Sequence, residues 1–349
     1  MVRQGHTVGV ITSEKALVED SFPFKIFRLK KPFSLRKINL NFLEIPGIIK
    51  QFQPEIFHIN YQTGGENFLI PLLKIMRVPV IITYHADHVI TLGKMIDEFQ
   101  LATTFRCADS IIIQSEREKK KFKSRGIPGK KMALIRFNGI DTKKYKCELS
   151  RSWNGNSIRL LCIARLDDSH KYKGIHELIV GIKEVNDSKI PLELSVNIIG
   201  DGSLRAYYEN ERRAYHLDNI SFLGNLSFEQ MLKEICDTNF LILPSINKAE
   251  GFGRVALEAL SCGTPVIVSK YAGIAELIEK YDAGIVYDPK EFKKLFFMLV
   301  EFVYRHGKIQ QLSENGKKLI SDEHLSLALV TKKVISIYHK FLASDKRHD

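Results

Sequence analysis

Residues 240–269 read FLILPSINKAEGFGRVALEALSCGTPVIVS. An apolar run, Phe240–Leu243, stops at Pro244-Ser245, which predicts a buried strand running into a loop. Gly251-Phe252-Gly253 opens an amphipathic stretch that ends at Cys262-Gly263, predicting a helix with a glycine just past its C-terminus. Thr264-Pro265 leads into a second apolar run, Val266–Ser269. Strand, glycine turn, helix and strand in that order make a βαβ unit, the building block of a parallel sheet covered by helices. Ligands of such sheets sit beyond the carboxyl ends of the strands. There the glycines let backbone N–H groups come close, and the helix N-terminus favours an anion, so a diphosphate fits.

Two carboxylates frame this turn. Glu250 precedes the glycines, and Glu258 falls inside the helix among Val255, Ala256, Leu257, Ala259 and Leu260. A carboxylate on so apolar a stretch needs a hydrogen-bonding partner, which hydroxyls of a sugar or a ribose supply. A salt-bridged structural Glu is the plainer alternative.

The alternation continues on both sides. Further strand candidates are Thr7–Thr12, Ile56–Asn60, Val78–Tyr84, Ser110–Gln114, Ala133–Arg136, Ile158–Ala164 and Leu192–Ile199, with helical patterns between most of them. At 349 residues the chain exceeds a single core. The polar stretch Lys146–Ser157, after which the rhythm restarts, marks the boundary between a first domain (1–146) and a second (147–324). The tail 325–349 holds one more amphipathic helix, expected to pack back on the first domain. Met1–His6 reads as a helix end with Gly5 as its cap, and Thr7–Thr12 as the second strand of a Rossmann unit. The first domain is therefore expected without its first strand and the Gly-rich turn after it.

The segment Glu250–Glu258, with G-F-G between the glutamates and L-E-A-L-x-x-G-T-P-V-I after them, resembles the Glu-x7-Glu signature of family 4 retaining glycosyltransferases. The resemblance covers about residues 5–340. It implies the α/β GT-B fold, two facing Rossmann-like domains with parallel sheets and an interdomain cleft. It implies that Glu250 contacts the transferred sugar and Glu258 the nucleotide ribose. It further implies that amides around Gly251, Phe252, Gly253 and Val255 hold the sugar and the distal phosphate. Arg254 is given no role.

Two more segments bear on chemistry. Strand Ile158–Ala164 ends at Arg165, and Lys173 precedes the next helix at Gly174. Two cations at the carboxyl end of a strand suit a departing diphosphate, a task otherwise left to a metal. The family's matching Arg and Lys-Gly do this work, but the loop here is longer and also offers Lys171. In T-Y-H-A-D, His85 follows a buried strand and resembles the family's N-domain histidine, which implies that it faces the donor sugar. His85, Asp87 and His88 lack a third remote ligand, so no metal site is expected. Gly200-Asp201-Gly202 resembles the family's G-x-G turn near the nucleotide, and Asn138-Gly139-Ile140-Asp141 its N-G-I-D segment.

Charge points to the acceptor. The chain carries +12 overall, and residues 1–150 hold 25 Lys and Arg against 14 Asp and Glu, a net of +11. Lys25–Lys37 and Arg117–Lys131 interleave cations with apolar residues, which suits an anionic membrane surface whose lipids hold the acceptor. Five scattered cysteines without metal spacing read as reduced and intracellular. The longest apolar run, Leu295–Tyr304, is too short to span a bilayer, and no signal peptide is legible.

The expectation is therefore a metal-independent, retaining glycosyltransferase without a cofactor, cytoplasmic and peripheral on the inner face of a membrane. It would move a hexose-type sugar from a UDP- or GDP-linked donor to a glycan or lipid-linked acceptor in cell-surface glycan synthesis. A catalytically silent GT-B protein that binds a sugar nucleotide or a partner enzyme is the alternative. A sugar-nucleotide epimerase fits the two cations and two glutamates less well. A nucleic-acid-binding protein leaves the acidic pair and the glycine turn unexplained.

Overall fold

The computed structural model describes residues 2, 5–13, 23–29, 34–35, 38–39, 44–60, 66–85, 104–136, 139–147, 157–188, 193–292, 294–295, 297–299 and 309–345. The chain forms two compact units, Met1–Phe137 with Val330–Asp349, and Asn138–Leu329. Every described strand pair but one is parallel, as expected for the GT-B class.

In the first unit β1 (Gly9–Ser13) pairs with β2 (Lys25–Leu29), and β3 (Ser34–Leu35) with β4 (Ile38–Asn39), the antiparallel exception. A separate ladder runs β5 (Phe57–Ile59), β6 (Val80–Thr83), β7 (Ser110–Ile113) and β8 (Met132–Leu134). β6 and β7 are buried along their whole length, so their runs of Val and Ile show no alternation. One face of this ladder carries Ile70, Leu73, Phe105 and Phe122. Ile81, Ile112 and Ile135 pack with Val330, Val334 and Ile337 of the last helix, Leu327–Asp345.

The second unit is one six-stranded sheet: β9 (Ser157–Ile163), β10 (Glu193–Ile199), β11 (Ile220–Gly224), β12 (Phe240–Leu243), β13 (Val266–Ser269) and β14 (Gly284–Tyr287), in the order β11-β10-β9-β12-β13-β14. From β9 the chain winds one way to β11, and from β12 the other way to β14. This is the doubly wound Rossmann order, with its switch point between β9 and β12. Two cores cover the faces. One holds Leu160, Leu178, Ile182, Ile198 and Ile242; the other holds Leu161, Leu243, Leu257, Leu260 and Val268.

One sequence expectation is corrected here. Cys147 and Cys236, 89 residues apart in sequence, form a disulfide with a Cα–Cα distance of 5.7 Å. The cause is tertiary: the segment ending at Cys147 crosses the last turn of the helix Phe228–Asp237, a proximity that linear spacing does not encode. Cys107, Cys162 and Cys262 lie outside the disulfide. Among the described residues no helix is long and apolar enough to cross a membrane.

Candidate active site

The loops that leave β9 and β12 diverge at the switch point and carry the predicted cations and Glu250. They are stitched together, since Ile246 N donates to Tyr172 O at 2.9 Å. Gly174 makes the close approach possible. Its φ is +74°, and a Cβ there would sit 2.0 Å from the Pro244 carbonyl oxygen, so only glycine fits. Gly174 also begins the helix Ile175–Asp187.

Lys173 and Glu250 meet at this stitch. Lys173 Nζ lies 2.8 Å from Glu250 Oε2, and Ser245 Oγ donates to the same oxygen at 2.6 Å. Glu250 is buried, 5% exposed. Burial works against the Lys173 ammonium, but Glu250 outweighs it and holds the lysine above its ordinary pKa. Tyr172 stacks beside Lys173, whose Nζ is 5.2 Å from the ring centroid. Lys171 instead pairs with Asp168 at 2.7 Å on the surface. Arg165 is 73% exposed, with Nη2 2.9 Å from Asp167 Oδ2. Of the two lysines in the loop, Lys173 therefore faces the glutamate.

The glycine turn is built as a cradle. Gly251 O and Phe252 O accept from Gly273 N and Ile274 N at 2.8 and 2.9 Å, which fixes the turn from behind. Phe252 is buried beneath it. Gly253, at φ +91°, starts the helix Arg254–Ser261. The first amides of that helix, through Val255, have no intrahelical acceptor and supply donors and positive potential. Inside the helix Glu258 is 6% exposed, and Arg254 Nε donates to its Oε1 at 3.1 Å. Burial raises the Glu258 carboxyl above its ordinary pKa, against the opposing pull of a hydrogen bond from Tyr145 and of the Arg254 charge. The structural reading of Glu258 as an ion-paired residue is thus met in part, by an arginine that is itself 69% exposed.

Gly200 and Gly202 have a reason inside the protein. A Cβ on Gly200 would lie 1.8 Å from Ala164 O, and one on Gly202 2.4 Å from the Leu166 carbonyl carbon. Leu166 N donates to Asp201 O at 3.0 Å. The G-D-G turn is the bed on which the Arg165 loop rests.

His85 belongs to the first unit and follows β6. Gln114 Nε2 is 3.2 Å from its Nδ1, and its ring also bonds the Asn60 backbone carbonyl. Burial lowers its pKa, so the imidazole is neutral at pH 7. His58 lies close behind it, between Thr83 Oγ1 at 2.7 Å and Tyr338 Oη at 2.5 Å. Burial, with His85 nearby, pushes His58 down to about 4. Asp87, His88 and Asn138 lie outside the described residues.

Sequence reasoning missed Ser245, Tyr145 and Arg254. Ser245 had a legible signal, as the polar residue two positions beyond β12 and five before Glu250. Arg254 had one too, standing one helical turn before Glu258. Tyr145 had none.

Known proteins match along both halves. Residues 150–319 match the family model described as glycosyl transferases group 1, and residues 1–144 the one described as glycosyltransferase family 4. An uncharacterized glycosyltransferase of Methanocaldococcus jannaschii is 26% identical over 285 residues, 81% of this chain and 73% of that protein. The capsular polysaccharide biosynthesis glycosyltransferase CapM of Staphylococcus aureus is 24% identical over 250 residues, 68% of this chain and 63% of that one. Among solved structures, HepE of Anabaena in complex with UDP superposes with a TM-score of 0.72 at 18% identity, covering 91% of this chain and 86% of that chain.

Proposed function

We propose, for a chain whose two halves match the models for glycosyl transferases group 1 and glycosyltransferase family 4, a metal-independent, retaining transfer of a hexose-type sugar. The donor is a nucleotide sugar, and the acceptor is a glycan or a membrane lipid-linked saccharide in cell-surface polysaccharide synthesis. The carrying observation is the buried Glu250, held by Lys173 and Ser245 at the switch point beside a glycine turn and a helix N-terminus. Structural economy alone does not place a buried ion pair at the mouth of the ligand crevice.

Each group then has a task. Glu258 accepts from the ribose hydroxyls beside its present donors, since the two oxygens of a carboxylate together offer about four acceptor sites. The amides from Gly251 to Val255 hold the sugar and the distal phosphate. Arg165, exposed on its loop, and Lys173 supply the positive charge that a leaving diphosphate needs, the part a divalent cation plays elsewhere. Glu250 orients the sugar through its hydroxyls, and His85, neutral, donates or accepts at the sugar without competing as a cation. The acceptor hydroxyl attacks on the face from which the diphosphate departs, and a phosphate oxygen takes its proton. The UDP bound to HepE favours a uridine donor here, with a guanosine donor the second choice.

The acceptor reading rests on charge. Lys120, Lys123, Arg125 and Lys130 are exposed on and after the helix Glu116–Ser124. The apolar residues interleaved with them, Phe122 and Ile127, are 1% and 2% exposed in the core of the first unit and cannot dip into lipid. Attraction to anionic lipid is left to the cations.

The test is transfer or slow hydrolysis of UDP- and GDP-hexoses in EDTA. Wild-type turnover that falls at least a hundredfold in Glu250→Gln and in Arg165→Ala supports the reading. Near-full turnover in both variants sinks it and leaves the silent binding protein.

A further inference from the structure

Two helices converge on Tyr145. Its ring packs edge-on against Phe228, centroids 5.3 Å apart, at the first turn of the helix Phe228–Asp237. Its carbonyl accepts from Ser261 Oγ at 2.8 Å, at the end of the helix Arg254–Ser261. Its hydroxyl hydrogen-bonds Glu258 on that same helix. Two residues later Cys147 is bonded to Cys236, in the last turn of the first helix. The segment 141–147 is thus a strap across two helices, pinned at one end by the disulfide, with Tyr145 resting on the carboxylate assigned to the ribose. The Cys147 and Cys236 side chains are both partly exposed, so a small reductant reaches them. Cys262 places a third sulfur beside them, all three within 4.8 Å of one another.

We propose that Tyr145 is a positioning residue for Glu258 and that the Cys147–Cys236 disulfide is a dithiol-reducible site controlling its hold. The inference rests on the ribose role of Glu258. In the reaction a dithiol gives two electrons and two protons. The Cys147–Cys236 bond breaks, each sulfur becomes a thiol, and the dithiol closes to its own disulfide. The strap then loses its covalent pin, and Tyr145 leaves Glu258 more readily. Tyr145 donates to the ionised carboxylate, so losing it favours the protonated form, which accepts poorly from ribose.

The test is calorimetric titration of UDP and GDP into the full chain, in EDTA, before and after dithiothreitol treatment and desalting, with thiols counted in denaturant. Three thiols before reduction and five after are expected. Nucleotide affinity should fall roughly tenfold on reduction, the loss expected for a weakened hydrogen bond to a charged group. Tyr145→Phe should show a similar fall and little further response to reduction. Its binding should also be lost at a higher pH than in the wild type, a shift that a merely structural tyrosine would not cause. Cys147→Ser/Cys236→Ser should match the reduced protein and ignore dithiothreitol. Five thiols before reduction would overturn the inference. So would unchanged affinity on reduction in a protein whose Glu258→Gln variant binds weakly. If Glu258→Gln binds as tightly as the wild type, or the wild type binds neither nucleotide, the ribose reading itself has failed and the inference goes with it.

Discussion

Glu250 and Glu258 sit eight residues apart in equally buried places, yet their surroundings oppose each other. Glu250 has a lysine at 2.8 Å and a serine at 2.6 Å on one oxygen. Removing Lys173 leaves that carboxylate buried without its counter-charge, so Lys173→Met should cost about 3 kcal/mol of stability by denaturant titration. Loss below about 0.5 kcal/mol would show the pair to be solvated. Glu258 carries the opposite cost. Its carboxyl is raised above the ordinary 4.5 mainly by burial. A group raised on folding contributes stability that is present below its unfolded pKa and lost as pH rises through the folded one. Glu258→Gln should therefore match the wild type in stability near pH 4 and exceed it at pH 7. Nucleotide affinity should move the other way, falling by about tenfold or more for a lost hydrogen bond to a charge. Higher stability with weaker binding would mark a residue kept for its ligand; lower stability at pH 7 would make it structural.

At the scale of elements, the glycine turns decide whether the loops can approach. The Cβ of Gly200→Ala would meet the Ala164 carbonyl at 1.8 Å, with φ at +138°. Strain of both kinds should cost about 2–4 kcal/mol in an unfolding titration. The backbone of the Arg165 loop must shift, so nucleotide affinity should fall too. The elements also show what sequence patterns reach. β12 and β13 were legible because central parallel strands bury both faces and read as apolar runs, and β9 and β10 because buried apolar residues recur along them, Ile158 and Leu160–Cys162 in one and Leu194, Val196, Ile198 and Ile199 in the other. β11 and β14 close the edges of that sheet, and their burial is interrupted, so ISFLG and GIVY carried no comparable signal. β2 was hidden inside a cluster of cations, because Lys25 and Arg28 sit on an exposed strand. The candidate site was picked out in the sequence where residue types stand at a recognisable spacing: the two glutamates, the glycines, and the Arg165 and Lys173 pair. Tyr145 and the Cys147–Cys236 bond were not, because only tertiary packing brings residues 145 and 147 to residues 258 and 236.

For the whole molecule, charge and fold separate two tasks. The first unit carries the exposed cations of the helix Glu116–Ser124. Lys120, Lys123, Arg125 and Lys130 changed together to Gln should reduce flotation with anionic vesicles by tenfold or more, at about 1 kcal/mol per cation near the surface. Recovery with neutral vesicles should stay low and unchanged. Equal recovery of wild type and variant would end the membrane reading. The second unit carries the proposed donor site, and the central claim belongs to it. The most direct measurement is calorimetric titration of the chain with UDP, GDP and ADP in EDTA, with Arg165→Ala beside the wild type. The account predicts binding of a uridine or guanosine diphosphate, on the order of micromolar, weakened at least tenfold by the substitution. Absence of binding by all three, or binding indifferent to Arg165, would contradict it.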